Sequence, residues 1–136
     1  MSAYHGLACI GDERVPEPQP LPAFPVVCLD LTSATLINNI DLQLTFRITT
    51  GYISDTLIII AKIQLSAPAL SSHKGKLRNY IGTRTNDDHV SFIIPDYRTV
   101  SGLDLKEYQL HARYLLIDSK SGHRSIEQIL SVRISI

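Results

Sequence analysis

The clearest pattern in the chain is a strict alternation of apolar and polar residues over positions 40–49. Apolar side chains stand at positions 40, 42, 44, 46 and 48, and polar side chains stand between them. Because successive side chains of a strand point to opposite faces, a period of two predicts a β-strand with one buried face and one solvated face. We therefore expect an antiparallel strand whose neighbours supply the facing layer.

The rest of the chain also consists of short apolar segments separated by turns. Further strands are predicted over 26–31, 57–65, 77–81, 89–94, 108–117 and 126–136. Residues 32–34 are expected to break the first strand, and residues 103–107 to form a short helical turn. Six to seven strands without a long helix predict an all-β fold, an antiparallel two-sheet β-sandwich. A small barrel is the alternative.

The first 25 residues are predicted to form an extended, proline-rich arm in front of a β-sandwich domain at 26–136. Closely spaced prolines enforce an extended backbone and exclude helix. The arm is either a stiff linker or a docking arm that lies along a neighbouring subunit or in a partner's groove. Its candidate docking residues are Pro16, Pro18, Pro20, Pro22, Phe24 and Pro25.

Composition narrows the classes of protein to consider. The 136 residues suit one domain, and 44% of them are apolar, so the chain is expected to fold. Thirteen basic and thirteen acidic residues give zero net charge, which removes the usual electrostatic reason for a nucleic-acid or membrane partner and suits self-association. We expect a soluble intracellular protein without a signal peptide or transmembrane segment. Cys9 and Cys28 are expected to be free thiols, with a disulfide as the alternative.

The segment Asp104-Leu-Lys-Glu-Tyr108-Gln-Leu110 resembles the tyrosine corner of immunoglobulin-like domains. With the alternating residues that follow, it is also similar to the approach to strand F in fibronectin type III domains. Lys106 and Leu110 stand where the immunoglobulin pattern has a small residue and a cysteine. The resemblance implies a β-sandwich in which Tyr108 is a structural corner, its hydroxyl bonding backbone upstream.

The sequence contains no recognisable catalytic or metal-binding motif. Its histidines form no close pair and no CxxC occurs, so no metal and no cofactor is predicted. Asp87, Asp88 and His89 are adjacent, but this pattern is more typical of a turn than of acid–base catalysis. We therefore expect no enzyme and no small-molecule substrate.

One cluster of basic residues follows the loop after position 66. It is a candidate contact for nucleic acid or anionic lipid headgroups, because cations bind phosphates. The alternative is a solubilising loop and edge strand, since positive charges also protect sheet edges. The cluster comprises His73, Lys74, Lys76, Arg78 and Arg84.

Two predicted strands carry apolar residues on both faces. Ile58 and Ile60 on one strand, and Leu115 and Ile117 on another, occupy positions that a monomeric sandwich would normally give to polar residues. These four residues are a candidate association patch. The alternative is burial under the arm or a loop.

Together these features favour a non-catalytic structural protein that acts by self-association as a homo-oligomer. Small intracellular sandwiches with an extended arm are frequent among virion coat and matrix proteins, so a virion-associated component is expected by analogy. The first alternative is a monomeric adaptor that binds another protein or a peptide. The second is a nucleic-acid or lipid-headgroup binder acting through the basic residues at 73–84.

Overall fold

The computed structural model describes residues 27–49, 56–68 and 74–136. Over these ranges the chain forms eight β-strands and one short helix, and the strands make two antiparallel four-stranded sheets. The fold is therefore the predicted all-β, two-sheet sandwich. The proline-rich arm predicted at 1–25 lies outside the described residues, as does His73. Within the described ranges no helix is long and apolar enough to cross a membrane.

Each sheet contains four strands, and the single helix precedes the seventh strand. The elements are β1 (Leu29–Ile37), β2 (Asp41–Ile48), β3 (Leu57–Ser66), β4 (Arg78–Ile81), β5 (Thr83–Asn86), β6 (His89–Ile94), α1 (Tyr97–Ser101), β7 (Glu107–Asp118) and β8 (Gln128–Ser135). Sheet A has the order β1-β2-β6-β5, and sheet B has the order β4-β3-β7-β8. Gly82 alone joins β4 to β5, so the chain passes there from the edge of sheet B to the edge of sheet A.

The strand predicted at 40–49 is β2, the second strand of sheet A. Its inward side chains Leu42, Leu44 and Phe46 are buried as the alternation predicts. Ile40 is not buried with them, because it belongs to the turn that connects β1 to β2 and is 53% exposed. Asn38 and Asn39 both have positive φ in this turn, as a type I′ hairpin requires.

Three local predictions were wrong. The first strand does not break at 32–34; β1 continues to Ile37 through an irregularity between Leu31 and Ser33 that absorbs the polar residues. The helix forms at 97–101 rather than 103–107. The strand β5 was not predicted at all, because Thr-Arg-Thr-Asn has no apolar alternation. The described chain thus has eight strands instead of six or seven.

The core lies between the sheets and is held by aliphatic and aromatic side chains. Phe46 and Phe92 of sheet A meet edge to face at 5.7 Å. The Tyr114 hydroxyl, on β7 of sheet B, accepts a hydrogen bond of 3.2 Å from the backbone amide of Leu29 on β1. Burial of this phenol raises its pKa to about 12. Tyr114 therefore links the two sheets by a polar contact inside the apolar layer.

Tyr108 occupies the corner at which the chain enters β7. Its hydroxyl donates to the carbonyl oxygen of Leu103 at 2.5 Å and accepts from the backbone amide of Leu105 at 2.9 Å. Its ring packs edge to face on Tyr97 at 6.0 Å. These contacts attach the segment between α1 and β7 to the core.

Cys28 lies just before β1 and is disulfide-bonded. The expectation of a free thiol at this position was therefore wrong. The other cysteine of the chain, Cys9, lies outside the described residues. The spacing of the cysteines could not distinguish a free thiol from a disulfide, because two cysteines on either side of a proline segment are compatible with either.

Candidate association surface

The outer face of sheet B is built mainly by its two central strands, β3 and β7. On β3, Ile59, Ile63 and Leu65 point into the sandwich and are buried. The alternate residues Ile58 and Ile60 therefore point outward, where they are only partly buried. The prediction that β3 is apolar on both faces is thus matched by its burial pattern.

The strand register brings the outward aliphatic residues together. Ile58 lies opposite Ile117, and Ile60 lies opposite Leu115. On the other side of Ile60, the edge strand β4 places Ile81, which is 68% exposed. We call these five side chains the aliphatic patch. Ile81 was not singled out from the sequence, because a four-residue strand gives no alternation long enough to assign its face.

The outer face of sheet A is more polar, although it carries the exposed Ile93 opposite Gln43. Its central strand β2 presents Gln43 and Thr45 outward, and Thr45 shares a hydrogen bond of 3.2 Å with Ser91 of β6. One row across the four strands consists of hydroxyl side chains only: Ser33, Thr45, Ser91 and Thr83. Outward aliphatic clustering is therefore a property of sheet B and not of both faces.

The aliphatic patch ends at a row of two cations. Lys62 of β3 lies directly opposite Arg113 of β7, and both side chains are exposed. Neither forms a salt bridge with any other residue of the described chain. Like charges directly opposite each other destabilise a sheet. Within the described residues, this pair of positive charges next to the outward apolar residues is therefore not compensated by a salt bridge.

The next row of sheet B is polar and holds a histidine. Gln64 lies opposite His111, whose Nδ1 is 3.2 Å from the Ser131 hydroxyl. Partial burial, together with the positive charge of Lys74, lowers the pKa of His111. His111 is thus expected to be neutral at pH 7, so it adds no positive charge to the Lys62–Arg113 row.

At the opposite end of the aliphatic patch, the exposed Arg124 lies opposite Ile117. Asp118 is the last residue of β7, next to Ile117. Its carboxylate accepts a hydrogen bond of 2.9 Å from the backbone amide of Lys120. This bond is the main reason that the pKa of Asp118 is lowered. Along β7, Asp118 has the same parity as the buried Leu116, so it belongs to the inner-face side of the strand. The outer face therefore carries cations, not charges of opposite sign, at the two ends of the patch.

The structure does not gather the predicted basic residues into one surface. Lys74, Lys76 and Arg78 are exposed beside or on the edge strand β4. Arg84 belongs to β5 of the other sheet, is only partly exposed and donates from Nη2 to the backbone oxygen of Asp87 at 3.1 Å. Arg84 therefore supports the β5–β6 turn and is not exposed alongside the other three.

Other groups with potential chemistry serve local structure. His89 Nδ1 lies 2.8 Å from the carboxylate of Asp88 and 3.1 Å from the side-chain oxygen of Asn86, all within the β5–β6 turn. Among the described residues, no three His, Cys, Asp or Glu side chains are grouped to hold a metal ion. An open pocket of about 670 Å³ lies beside the C-terminus, where Lys106, Glu107 and Arg133 mix charges of both signs.

The chain was compared with protein-family models, curated proteins and solved structures, and none of the three comparisons gave a match.

Proposed function

We propose that this protein is a non-catalytic assembly protein that associates with further copies of itself through the aliphatic patch. The observation that carries the proposal is the pairing of Ile58 with Ile117 and of Ile60 with Leu115 on the outer face of sheet B. Soluble monomers rarely expose contiguous apolar surface, and large exposed patches mark interaction sites. On the outer face of sheet A, by comparison, the exposed Ile93 lies beside polar residues and has no outward aliphatic partner on β2.

Physical properties of the patch suit it to association. Its residues lie mostly on two central strands, so the backbone that carries them is fixed by hydrogen bonds on both sides. Branched aliphatic side chains lose little conformational entropy when they are covered. Burying apolar surface contributes roughly 25 cal/mol per Å² removed from water. Zero net charge adds little repulsion between copies.

A monomeric adaptor is the second candidate function, and the edge strand β8 favours it. β8 has one neighbour in sheet B, runs for eight residues without proline and presents one charged side chain outward, Arg133. Such an edge can accept an extended peptide as an additional strand. This candidate requires a monomer in solution, whereas the leading proposal requires an oligomer. Two further predictions remain untested: that the protein is a component of a virion, and that its basic residues bind phosphate groups.

The aliphatic patch can be tested by replacing its central pair with charged residues. Ile60→Glu with Leu115→Glu places two carboxylates at the centre of the proposed interface, where association would exclude water. The matched control is Gln43→Glu, which is likewise outward-facing on a central strand with a partner on each side. Sedimentation velocity would measure the oligomeric state, and thermal unfolding would verify that each variant is folded.

We expect the double variant to sediment as a folded monomer and the Gln43→Glu control to sediment like the unmodified chain. If the double variant is folded and associates as strongly as the unmodified chain, the aliphatic patch is not the interface. If the unmodified chain is itself monomeric at all concentrations, the assembly proposal fails and the adaptor is favoured.

A further inference from the structure

The charges of the chain are distributed unevenly between the two outer faces, although the whole chain has zero net charge. On sheet A, Arg47 of β2 lies opposite Asp30 of β1, so charges of opposite sign are neighbours. On sheet B, within the described ranges, the outward positions and the residues bridged to them carry more cations than carboxylates. The cations are Lys62, Lys74, Arg113, Arg124 and Arg133, and the carboxylates are Glu107 and Glu127.

This excess of positive charge opposes the proposed association. Cations lie at both ends of the aliphatic patch, with Lys62 and Arg113 at one end and Arg124 at the other. Two copies that pack through the patch therefore bring two positive faces together, whichever way the second copy is turned. Like charges that meet across an interface weaken binding. An anion held between the copies removes this repulsion while the aliphatic side chains still cover one another.

Lys62 and Arg113 are well placed to hold such an anion. They lie directly opposite each other on the two central strands of sheet B, which puts their Cβ atoms roughly 5 Å apart. Both side chains are exposed, and neither forms a salt bridge with another described residue. A guanidinium binds two phosphate oxygens through its planar fork, and an ammonium adds a compact positive charge. The two head groups can therefore contact the same phosphate group.

The next row of sheet B favours an anion with more than one phosphate group. It lies about 7 Å from the Lys62–Arg113 row and holds Gln64 and His111, which offer hydrogen bonds and no negative charge. Lys74 lies near this row, because its positive charge contributes to the lowered pKa of His111. Linked phosphate groups can thus extend from Lys62 and Arg113 across His111 toward Lys74.

We infer that Lys62 and Arg113 bind a soluble oligophosphate, a short chain of linked phosphate groups, and that this anion strengthens the association of copies through the aliphatic patch. The inference rests on the proposed self-association. A site enclosed between two copies favours a small soluble anion, because a second copy cannot cover a membrane or a long nucleic acid. The inference also gives a role to a pair of opposed like charges that disfavours the sheet.

The effect of the anion can be measured by sedimentation velocity of the unmodified chain at constant ionic strength, with sodium tripolyphosphate replacing part of the sodium chloride. For one anion bound per dimer, linkage predicts that the association constant rises roughly tenfold when tripolyphosphate is at ten times its dissociation constant from the dimer. Isothermal titration calorimetry measures that dissociation constant. Sodium sulfate at the same ionic strength is the control anion and should raise the association constant much less.

The role of the two cations is tested by Lys62→Gln with Arg113→Gln. This variant loses the repulsion together with the site, so we expect it to associate more strongly than the unmodified chain in sodium chloride alone and to show no response to tripolyphosphate. Arg47→Gln with Lys106→Gln removes the same charge at exposed positions outside the site and should keep the response. Thermal unfolding verifies that both variants are folded.

The outcomes separate the inference from the proposed function. An association constant that tripolyphosphate leaves unchanged overturns the inference, while association through the patch stands. Equal increases with tripolyphosphate and sulfate overturn the choice of an oligophosphate. A response that persists in the Lys62→Gln, Arg113→Gln chain, or that disappears in the Arg47→Gln, Lys106→Gln control, overturns the role of the two cations. An unmodified chain that is monomeric in every buffer overturns both the inference and the proposed function.

Discussion

Ile60 and Leu115 lie directly opposite each other on the outer face of sheet B, on its two central strands. Their chain neighbours Ile59 and Leu116 already fill the core on the inner face, with 2% and 0% exposure. The outward pair is therefore not needed to close the sandwich. In our proposal it is needed to bind another copy of the chain.

The hydroxyl of Tyr108 is expected to stabilise the fold through its two backbone contacts. Tyr108→Phe removes the partner of the Leu105 amide at a buried position and one donor to the Leu103 carbonyl, which keeps the Ser101 hydroxyl. We expect the free energy of unfolding to fall by about 1–3 kcal/mol, measured by urea denaturation.

Tyr80→Phe is the control for this loss of a hydroxyl. The Tyr80 hydroxyl is buried and has no hydrogen-bond partner in the part of the chain that the structure describes. Removing it should leave stability unchanged or raise it slightly, since an unsatisfied buried polar group is unfavourable. Equal losses in the two variants would contradict the role assigned to the Tyr108 contacts.

Stability should decline at high pH because of Tyr114. Folding raises the pKa of this phenol from its ordinary value of 10.0 to about 12. The neutral form is therefore favoured in the folded state, so this contribution is complete below pH 10 and is lost as the pH rises toward 12. Denaturant titrations should show a loss of roughly 2–3 kcal/mol across this interval. Tyr114→Phe should flatten that slope, and an unchanged slope would exclude Tyr114 as its source.

Gly82 is expected to tolerate no side chain. A Cβ there would lie 2.5 Å from Cγ2 of Val90 and 3.0 Å from Cζ of Phe92, both buried in the core. Gly82→Ala should cost about 1–3 kcal/mol through overpacking, measured by thermal unfolding. Asn79→Ala, at an exposed position of the preceding strand, is the control and should have a much smaller effect. If Gly82→Ala leaves the stability unchanged, the connection between β4 and β5 is packed less tightly than described.

The disulfide at Cys28 predicts the behaviour of the chain toward thiol reagents. In denatured but unreduced protein, Cys28 should not react with iodoacetamide, and reduction should allow it to be alkylated. Peptide mapping by mass spectrometry measures the alkylation of Cys28 in both states. Alkylation of Cys28 before reduction would show that it is a free thiol.

Much of the fold could be predicted because burial imposes a period of two on each long strand. Leu42, Leu44 and Phe46 illustrate this, and so do the outward Ile58 and Ile60, which were recognised because they break the expected alternation. Elements without such a pattern were missed. β5 is an edge strand of polar residues that pairs through its backbone, and α1 is a single turn whose amphipathic period is too short to detect.

The candidate site was predictable in its residues and not in its arrangement. The alternation of side chains along each strand identifies the outward positions, but it does not show which strands are neighbours in the sheet. Only the β3–β7 register reveals that Lys62 faces Arg113, and only the β3–β4 pairing brings Ile81 into the aliphatic patch. Strand order depends on long-range packing, which local sequence does not encode.

The central claim is most directly tested by the native mass of the unmodified chain, measured by light scattering over a range of concentrations. Our account predicts a mass that rises with concentration to at least twice the 15.1 kDa of one chain. A mass that stays at 15.1 kDa up to the highest soluble concentration would contradict it.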